Sequence, residues 1–328
     1  MLNNTQTICS LLVFFLLFQC VTIEDYTANK VLTSNMPSAR HECGFVEVNG
    51  LFYLIGGRGI KPVDIYNNNI KTWTQGAKPP IEIHHFQAVT YKNDIYVFGA
   101  MTGKYPHETP LEKILIYKPN ADKWVWGDTI PESRRRGSAG VVVKDDVAYV
   151  VSGITDGHWE GHVPWLDTYH FNTGVWTILR DAPRPRDHFH AAIHNNKIYC
   201  ASGRNSSAKT KETFNLTIPE VDVYNIETKS WFTLPETSNI PTERAGASSV
   251  IAKDHLIVIG GESASQKTAH DHIEIMEIST GDWVSGNSLI RGRHGTQAIY
   301  YKNAIYISAG SGHRGGRPEL ASLEAFCK

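Results

Sequence analysis

Cysteine is scarce in this chain, and neither sign of charge prevails. Five cysteines occur in 328 residues, and 32 Lys and Arg against 33 Asp and Glu leave a formal net charge of −1. That balance excludes a global basic field for nucleic acid and an acidic tail, so nucleic acid is not an expected partner. The cysteine spacings fit no disulfide framework and no zinc motif. Cys43, Cys200 and Cys327 are therefore expected to be buried thiols with at most one disulfide. H-E-x-x-H, G-x-S-x-G and C-x-x-C are all missing from the sequence. One G-x-G-x-x-G is present, Gly310-Ser311-Gly312-His313-Arg314-Gly315, but the chain ends 13 residues later, with no room for the βαβ unit that a dinucleotide site needs.

Long hydrophobic runs are absent too. Residues 11–18, LLVFFLLF, are too few to span a bilayer, and polar residues and Cys20 follow. The pattern predicts a secretory signal over residues 1–24, a mature domain over 25–328, and a secreted or periplasmic location. The stretch LFQC loosely resembles a bacterial lipobox, so membrane attachment is expected only if Cys20 carries lipid. Asn205-Ser206-Ser207 and Asn215-Leu216-Thr217 are glycosylation sequons, with meaning only in a eukaryotic secretory route.

What the chain does have is a repeat. LFYLIGG, DIYVFGA, VAYVVSG, KIYCASG, HLIVIGG and AIYISAG recur, with third positions Tyr53, Tyr96, Tyr149, Tyr199, Ile257 and Tyr306, 43 to 58 residues apart. Each is a β-branched and aromatic run closed by small residues, which reads as a buried strand. Tyr66, Tyr117, Tyr169, Tyr224 and Met276 follow, and seven residues after each stands Trp73, Trp124, Trp176, Trp231 or Trp283. Turn residues fill each interval, so each pair spans a hairpin in one register. Thirteen residues before each strand marker stand Arg40, Ile83, Arg136, Arg186, Arg244 and Arg293.

Units of about 50 residues with four strands and no helical period predict an all-β, six-bladed β-propeller. In these markers the chain resembles the Kelch-repeat family, over nearly all of residues 26–328. The small pair is Gly-Gly only at Gly56-Gly57 and Gly260-Gly261. The last unit ends in LEAFCK with Phe326 in the tyrosine position and no tryptophan after it. Its missing fourth strand is expected from residues 28–35, closing the ring and removing two exposed sheet edges.

In an antiparallel blade the second-to-third-strand loops share a face with the links between blades. Those loops are long and dissimilar, which marks that face as the binding face. The resemblance makes the first strand of each blade innermost. Arg40, Arg136, Arg186, Arg244 and Arg293 should then ring the channel mouth, accompanied by His41, His85, His188 and His294. Two readings of the ring stand: an anion site, or a set of braces to the neighbouring blade through Glu42, Asp187 or Glu243. Trp159 and Trp165, in one long loop, either stack on a sugar or pack that loop down. His188 and His190 alternate on one strand and are too weak a pair to predict a metal, so no metal or other cofactor is expected.

The expected function is that of a monomeric ligand- or protein-binding module, taking an anionic small molecule, glycan or acidic peptide at the channel mouth. The resemblance also implies a second possibility, a carbohydrate epimerase acting on sialic acid, with His158, His188, Glu262 and His270 as acid–base candidates. More remote is a galactose oxidase-like copper enzyme. Its tyrosine–cysteine cross-link and histidine ligands cannot be placed here.

Overall fold

The computed structural model describes residues 27–205 and 207–327. The expected signal segment, with Cys9 and Cys20, lies outside the described residues. Among those residues there is no α-helix, and six four-stranded antiparallel sheets follow one another along the chain. The first five blades open with the strands Cys43–Val48, Ala88–Tyr91, Gly140–Lys144, Ala191–His194 and Ser248–Ala252. The sixth opens with Ala298–Tyr301. These six first strands pack side by side in a closed cycle, each touching the next and the last touching the first.

The N-terminal strand Thr27–Lys30 pairs antiparallel with Leu323–Cys327, in the register Thr27↔Cys327 to Lys30↔Glu324. The expected closure is therefore present, a little earlier than residues 28–35. Phe45, Phe52, Tyr66 and Trp73 of blade one pack with Ile299, Tyr306 and Leu323 of blade six. Five further apolar clusters fill the other blade boundaries. The core is thus six wedges between blades, because each sheet is apolar on both faces.

The constant seven-residue interval has a direct cause. Tyr66↔Trp73, Tyr117↔Trp124, Tyr169↔Trp176, Tyr224↔Trp231 and Met276↔Trp283 are directly opposed cross-strand partners. The four Tyr–Trp pairs sit with ring centroids 5.0 to 5.2 Å apart. Such a pair contributes about 0.5–1.5 kcal/mol beyond its burial. Three of these indoles also donate to the preceding blade: Trp124 to the Ala77 carbonyl, Trp231 to Arg180 and Trp283 to Ser238.

The small pair ends each second strand in left-handed backbone, with φ of 68° and 96° at Gly56 and Gly57 and 66° and 117° at Gly260 and Gly261. The second residue then donates its N–H to the next blade at the arginine position: Gly57 to Ile83, Gly153 to Arg186, Gly203 to Arg244 and Gly261 to Arg293. Gly310 donates to Arg40 and closes that series. A Cβ on Gly260 would stand 2.2 Å from the Arg293 carbonyl oxygen, which explains the small residue there. Midway down the channel, Gln87 accepts from the N–H groups of Val141 and Ala191, and Gln297 bonds both backbone groups of Ala88. These two side chains bridge blades across the axis. Cys43 and Cys200 are free, buried thiols, and burial pushes them up to about 11 and about 12.

Candidate functional site

The five repeat arginines do not form the site. Each lies at 2% exposure or less and turns into its own blade. Arg40 donates to the carbonyls of Leu54, Gly56 and Pro62 and pairs with Asp64. Arg186 repeats this with Cys200, Ser202, Glu220 and Asp222. Arg136 pairs with Asp167 at 2.7 Å, Arg244 with Glu274 at 2.6 Å, and Arg293 with Glu324. None of the five lines the cavity described below. The expectation of an arginine-ringed anion site is corrected here: these guanidiniums are consumed by strand-end carbonyls and a buried carboxylate. The brace reading survives in altered form, because the partner lies two residues before the tyrosine position of the same blade, not at Glu42, Asp187 or Glu243. Blade two carries Ile83 in place of the arginine, and Leu115 in place of the acid.

Two residues beyond each arginine position the backbone again turns left-handed, at Glu42 (φ 56°), His85 (54°), Ser138 (52°), His188 (50°), Gly246 (64°) and Gly295 (63°). Hydrogen bonds run between these residues around the axis, from His85 N–H to the Glu42 carbonyl at 3.1 Å and from Ser138 N–H to His85 at 2.8 Å. Gly295 N–H reaches Gly246 at 2.9 Å. This turn ring is the floor of a cavity of about 910 Å³ on the face of the long loops. His41, Glu42, His85 and His294 come to it from the links between blades. Arg58, Lys61, Tyr105, His158, Arg204 and Phe214 come from the loops after the second strands, with Glu262 and the segment Gly315–Glu319. The expected binding face is thus the face that holds the cavity.

Most charges on the wall are paired. Arg58 meets the buried Glu108 at 2.5 Å, Lys61 meets Glu319 at 2.8 Å, and Arg204 meets Glu262 at 2.7 Å. Burial alone would push these carboxyls up, but their partners win. His158 and Arg58 hold Glu108 well below the carboxylate range. His294, Arg204 and the Gly315 N–H hold Glu262 at about 2, and His41 and Lys61 hold Glu319 at about 2. Arg317, exposed on the rim, has no carboxylate partner among the described residues. Glu42 is a different case. Its ion-pair partners are histidines, His85 at 3.4 Å and His294 at 3.9 Å. Burial opposes its ionisation, yet His188, His41 and His294 draw its carboxyl below the usual value. Burial holds His85 well below the ordinary histidine value and lowers His158 too, so both rings are neutral near pH 7.

Of the other expected residues, His41, His85 and His294 line the cavity, whereas His188 does not line it and lies buried against His85 and His158. Trp159 packs at a tilt against His107, with centroids 4.8 Å apart, away from the cavity lining. Trp165 lies under the Arg134 guanidinium at 4.2 Å, so it packs its loop down and is not a sugar platform. His158 and Glu262 reach the cavity, whereas His270 bonds Ser263 at 2.8 Å and does not. The sequence reading missed Arg58, Lys61, Arg204, Arg317, Tyr105, Phe214 and Glu319. A signal for three wall residues was present: Arg58, Arg204 and Glu262 each stand immediately after the small pair, in constant register.

Comparison with known proteins places this architecture. A family model described as Attractin/LZTR1 beta-propeller matches residues 15–268. Kelch-like protein terF of Aspergillus terreus is 29% identical over 257 residues, covering 76% of this chain and 54% of that protein. Kelch repeat protein M-T8 of Myxoma virus is 26% identical over 70% of this chain and 43% of its own length. For Kelch-like protein 40 of Xenopus laevis the identity is 24%, over 60% of this chain and 32% of that protein. The chain therefore spans about half the length, or less, of these curated relatives. The solved structure of YjhT superposes with a TM-score of 0.74 at 16% identity, covering 88% of this chain and 95% of that one, a likeness of fold alone.

Proposed function

Because this chain belongs to the Attractin/LZTR1 β-propeller family, and so to the Kelch-repeat propellers, we propose that it is an exported binding module whose loop-face cavity takes a small polyhydroxylated acid. A sugar acid is the chemical type. The observation that carries the reading is the charge arrangement of the wall. Four cations, Arg58, Lys61, Arg204 and Arg317, face three carboxylates, Glu42, Glu262 and Glu319. Three of the cations are already bridged within the wall, and Arg317 is left for an incoming carboxylate. The bridged pairs retain lone pairs and N–H groups suited to hydroxyls, and the Tyr105 and Phe214 rings offer faces for a pyranose. Export rests on the apolar run at residues 11–18.

The test is a melting-temperature panel with sialic acid, glucuronate, neutral sugars and acidic peptides, since a ligand that binds only the folded state raises the midpoint. The expected result is a shift with the sugar acids that Arg317→Ala with Lys61→Ala abolishes. A shift with acidic peptides alone would replace the small-molecule reading with a protein partner, and no shift with any anion would remove the anionic-ligand reading. The epimerase reading is favoured by one feature, the titratable groups His158, Glu262 and His294 on the wall. It requires sialic-acid anomer or epimer exchange, followed by NMR, to accelerate with the protein and to stop in Glu262→Gln.

A further inference from the structure

Three histidines from three blades converge at the base of the cavity, His85 and His158 lining it and His188 buried against both. His85 comes from the link into blade two, His188 from the link into blade four, and His158 from the long loop of blade three. Their ring centroids form a nearly equilateral triangle, 4.8 Å for His85–His158, 4.8 Å for His85–His188 and 4.9 Å for His158–His188. One ring nitrogen from each lies within 4.8 Å of the other two.

The Nδ1 atoms are occupied elsewhere. Nδ1 of His158 bonds Glu108 at 2.9 Å, Nδ1 of His188 bonds Asp187 at 2.5 Å, and Nδ1 of His85 bonds His84 at 2.6 Å. Nε2 is the atom left to His158 and His188, and that of His85 stands 3.4 Å from the Glu42 carboxylate. The Nε2 of His188, on a side chain 6% exposed, is buried without a hydrogen-bond partner. A histidine whose Nδ1–H is held by a carboxylate, with Nε2 directed at a common point, is the arrangement that metal-ligating histidines adopt. A triangle with 4.8 Å sides has its centre about 2.8 Å from each corner, so a movement of about 0.7 Å per ring reaches the zinc–imidazole bond length of ~2.0–2.1 Å.

Charge balance is an independent observation. Asp187 and Glu42 are buried carboxylates whose ion-pair partners among the described residues are histidines alone. A buried carboxylate is otherwise offset by an Arg, a Lys or a bound cation. Two such carboxylates around three imidazoles match one divalent ion. The backbone adds a third sign. His85 and His188 hold left-handed φ of 54° and 50° at ring positions where blades five and six use glycine, and such strain concentrates at ligand-holding sites.

We propose that His85, His158 and His188 bind one first-row divalent transition ion, with Glu108 and Asp187 orienting two of the rings and the ion's open position facing the cavity. Three imidazole ligands suit Zn²⁺ or Cu²⁺. The site stands apart from the sugar-acid reading, and its test contains no organic ligand. The full folded chain, stripped with chelator and dialysed, is titrated with Zn²⁺ and separately with Cu²⁺ by calorimetry, and Co²⁺ is added to read ligand-field bands in the visible spectrum. One equivalent is expected to bind. His158→Gln, with its melting temperature read alongside to confirm that it folds, loses at least a hundredfold in affinity and the Co²⁺ bands, and Asp187→Asn loses about 10–100-fold. His194→Ala, at the far end of the first strand of blade four, changes neither. The proposal is overturned if neither ion binds the wild-type chain more tightly than about 100 μM, or if His158→Gln binds both as the wild type does.

Discussion

Arginine occupies two chemically distinct positions in this protein. At the repeat position it is a structural cation, fully buried, with its donors spent on two strand-end carbonyls and one carboxylate. Blade two shows that the pair is replaceable, since Ile83 and Leu115 stand where the other blades have arginine and acid. Breaking one pair strands a buried charge, so Arg244→Ala is expected to cost about 3–5 kcal/mol of stability. Arg244→Ile with Glu274→Leu, copying blade two, is expected to recover most of that loss in chemical denaturation. Acid stability is set by other residues. Burial, with help from Arg244, holds His270 at about 4, below its unfolded value of ~6.5, so its protonation favours the unfolded chain. That contribution is complete above pH 6.5 and is lost as pH falls towards 4. Glu262 and Glu319, held at about 2, add stability that is complete above their unfolded value of ~4.3 and is lost below it. Melting temperature should therefore fall in two stages on acidification, and His270→Gln should make the first stage shallower without removing it, because burial also holds His84 and His190 at about 4.

At the scale of the element, the strands were plain in the sequence because their signals are short-range. A Tyr and a Trp seven residues apart across a turn must oppose each other, and they do. The missing sixth tryptophan announced that the N-terminus supplies a strand, and Thr27–Lys30 fills that place by antiparallel pairing with Leu323–Cys327. Its removal is expected to leave Leu323–Cys327 as an open edge. A chain starting at residue 36 should melt about 5–10 °C lower and form higher oligomers on size-exclusion chromatography. An unchanged monomer with an unchanged midpoint would contradict the closure. The site was less legible. The sequence located the binding face through loop length, yet it assigned the binding to repeat arginines because their acidic partners stand about 30 residues away in chain order. The cue was available, since the acid two residues before the tyrosine position accompanies the arginine in five units and both vanish together in the second. His85, His158 and His188 could not be associated in that way. His85 and His188 share a repeat position that other blades fill with Glu, Ser or Gly, His158 comes from a loop outside the repeat, and only the fold brings the three within 5 Å.

At the scale of the whole molecule, labour is divided along the propeller axis. Six apolar wedges and the buried Arg–acid pairs make a rigid ring. Gln87 and Gln297 bridge its channel, and the turn ring lies beneath a cavity whose walls come from the long loops and the links between blades. Function in this account belongs to the loops and stability to the repeat, so the two should be separable by substitution. The most direct measurement is calorimetric affinity for the sugar acid that shifts the midpoint, taken beside the melting temperature, for Lys61→Ala with Arg317→Ala and for Arg244→Lys. The account predicts at least a tenfold loss of affinity, about 1.4 kcal/mol, at unchanged midpoint for the first variant. For Arg244→Lys it predicts a lowered midpoint at unchanged affinity. The reverse pattern, with affinity lost at Arg244 and kept at the rim, would contradict it.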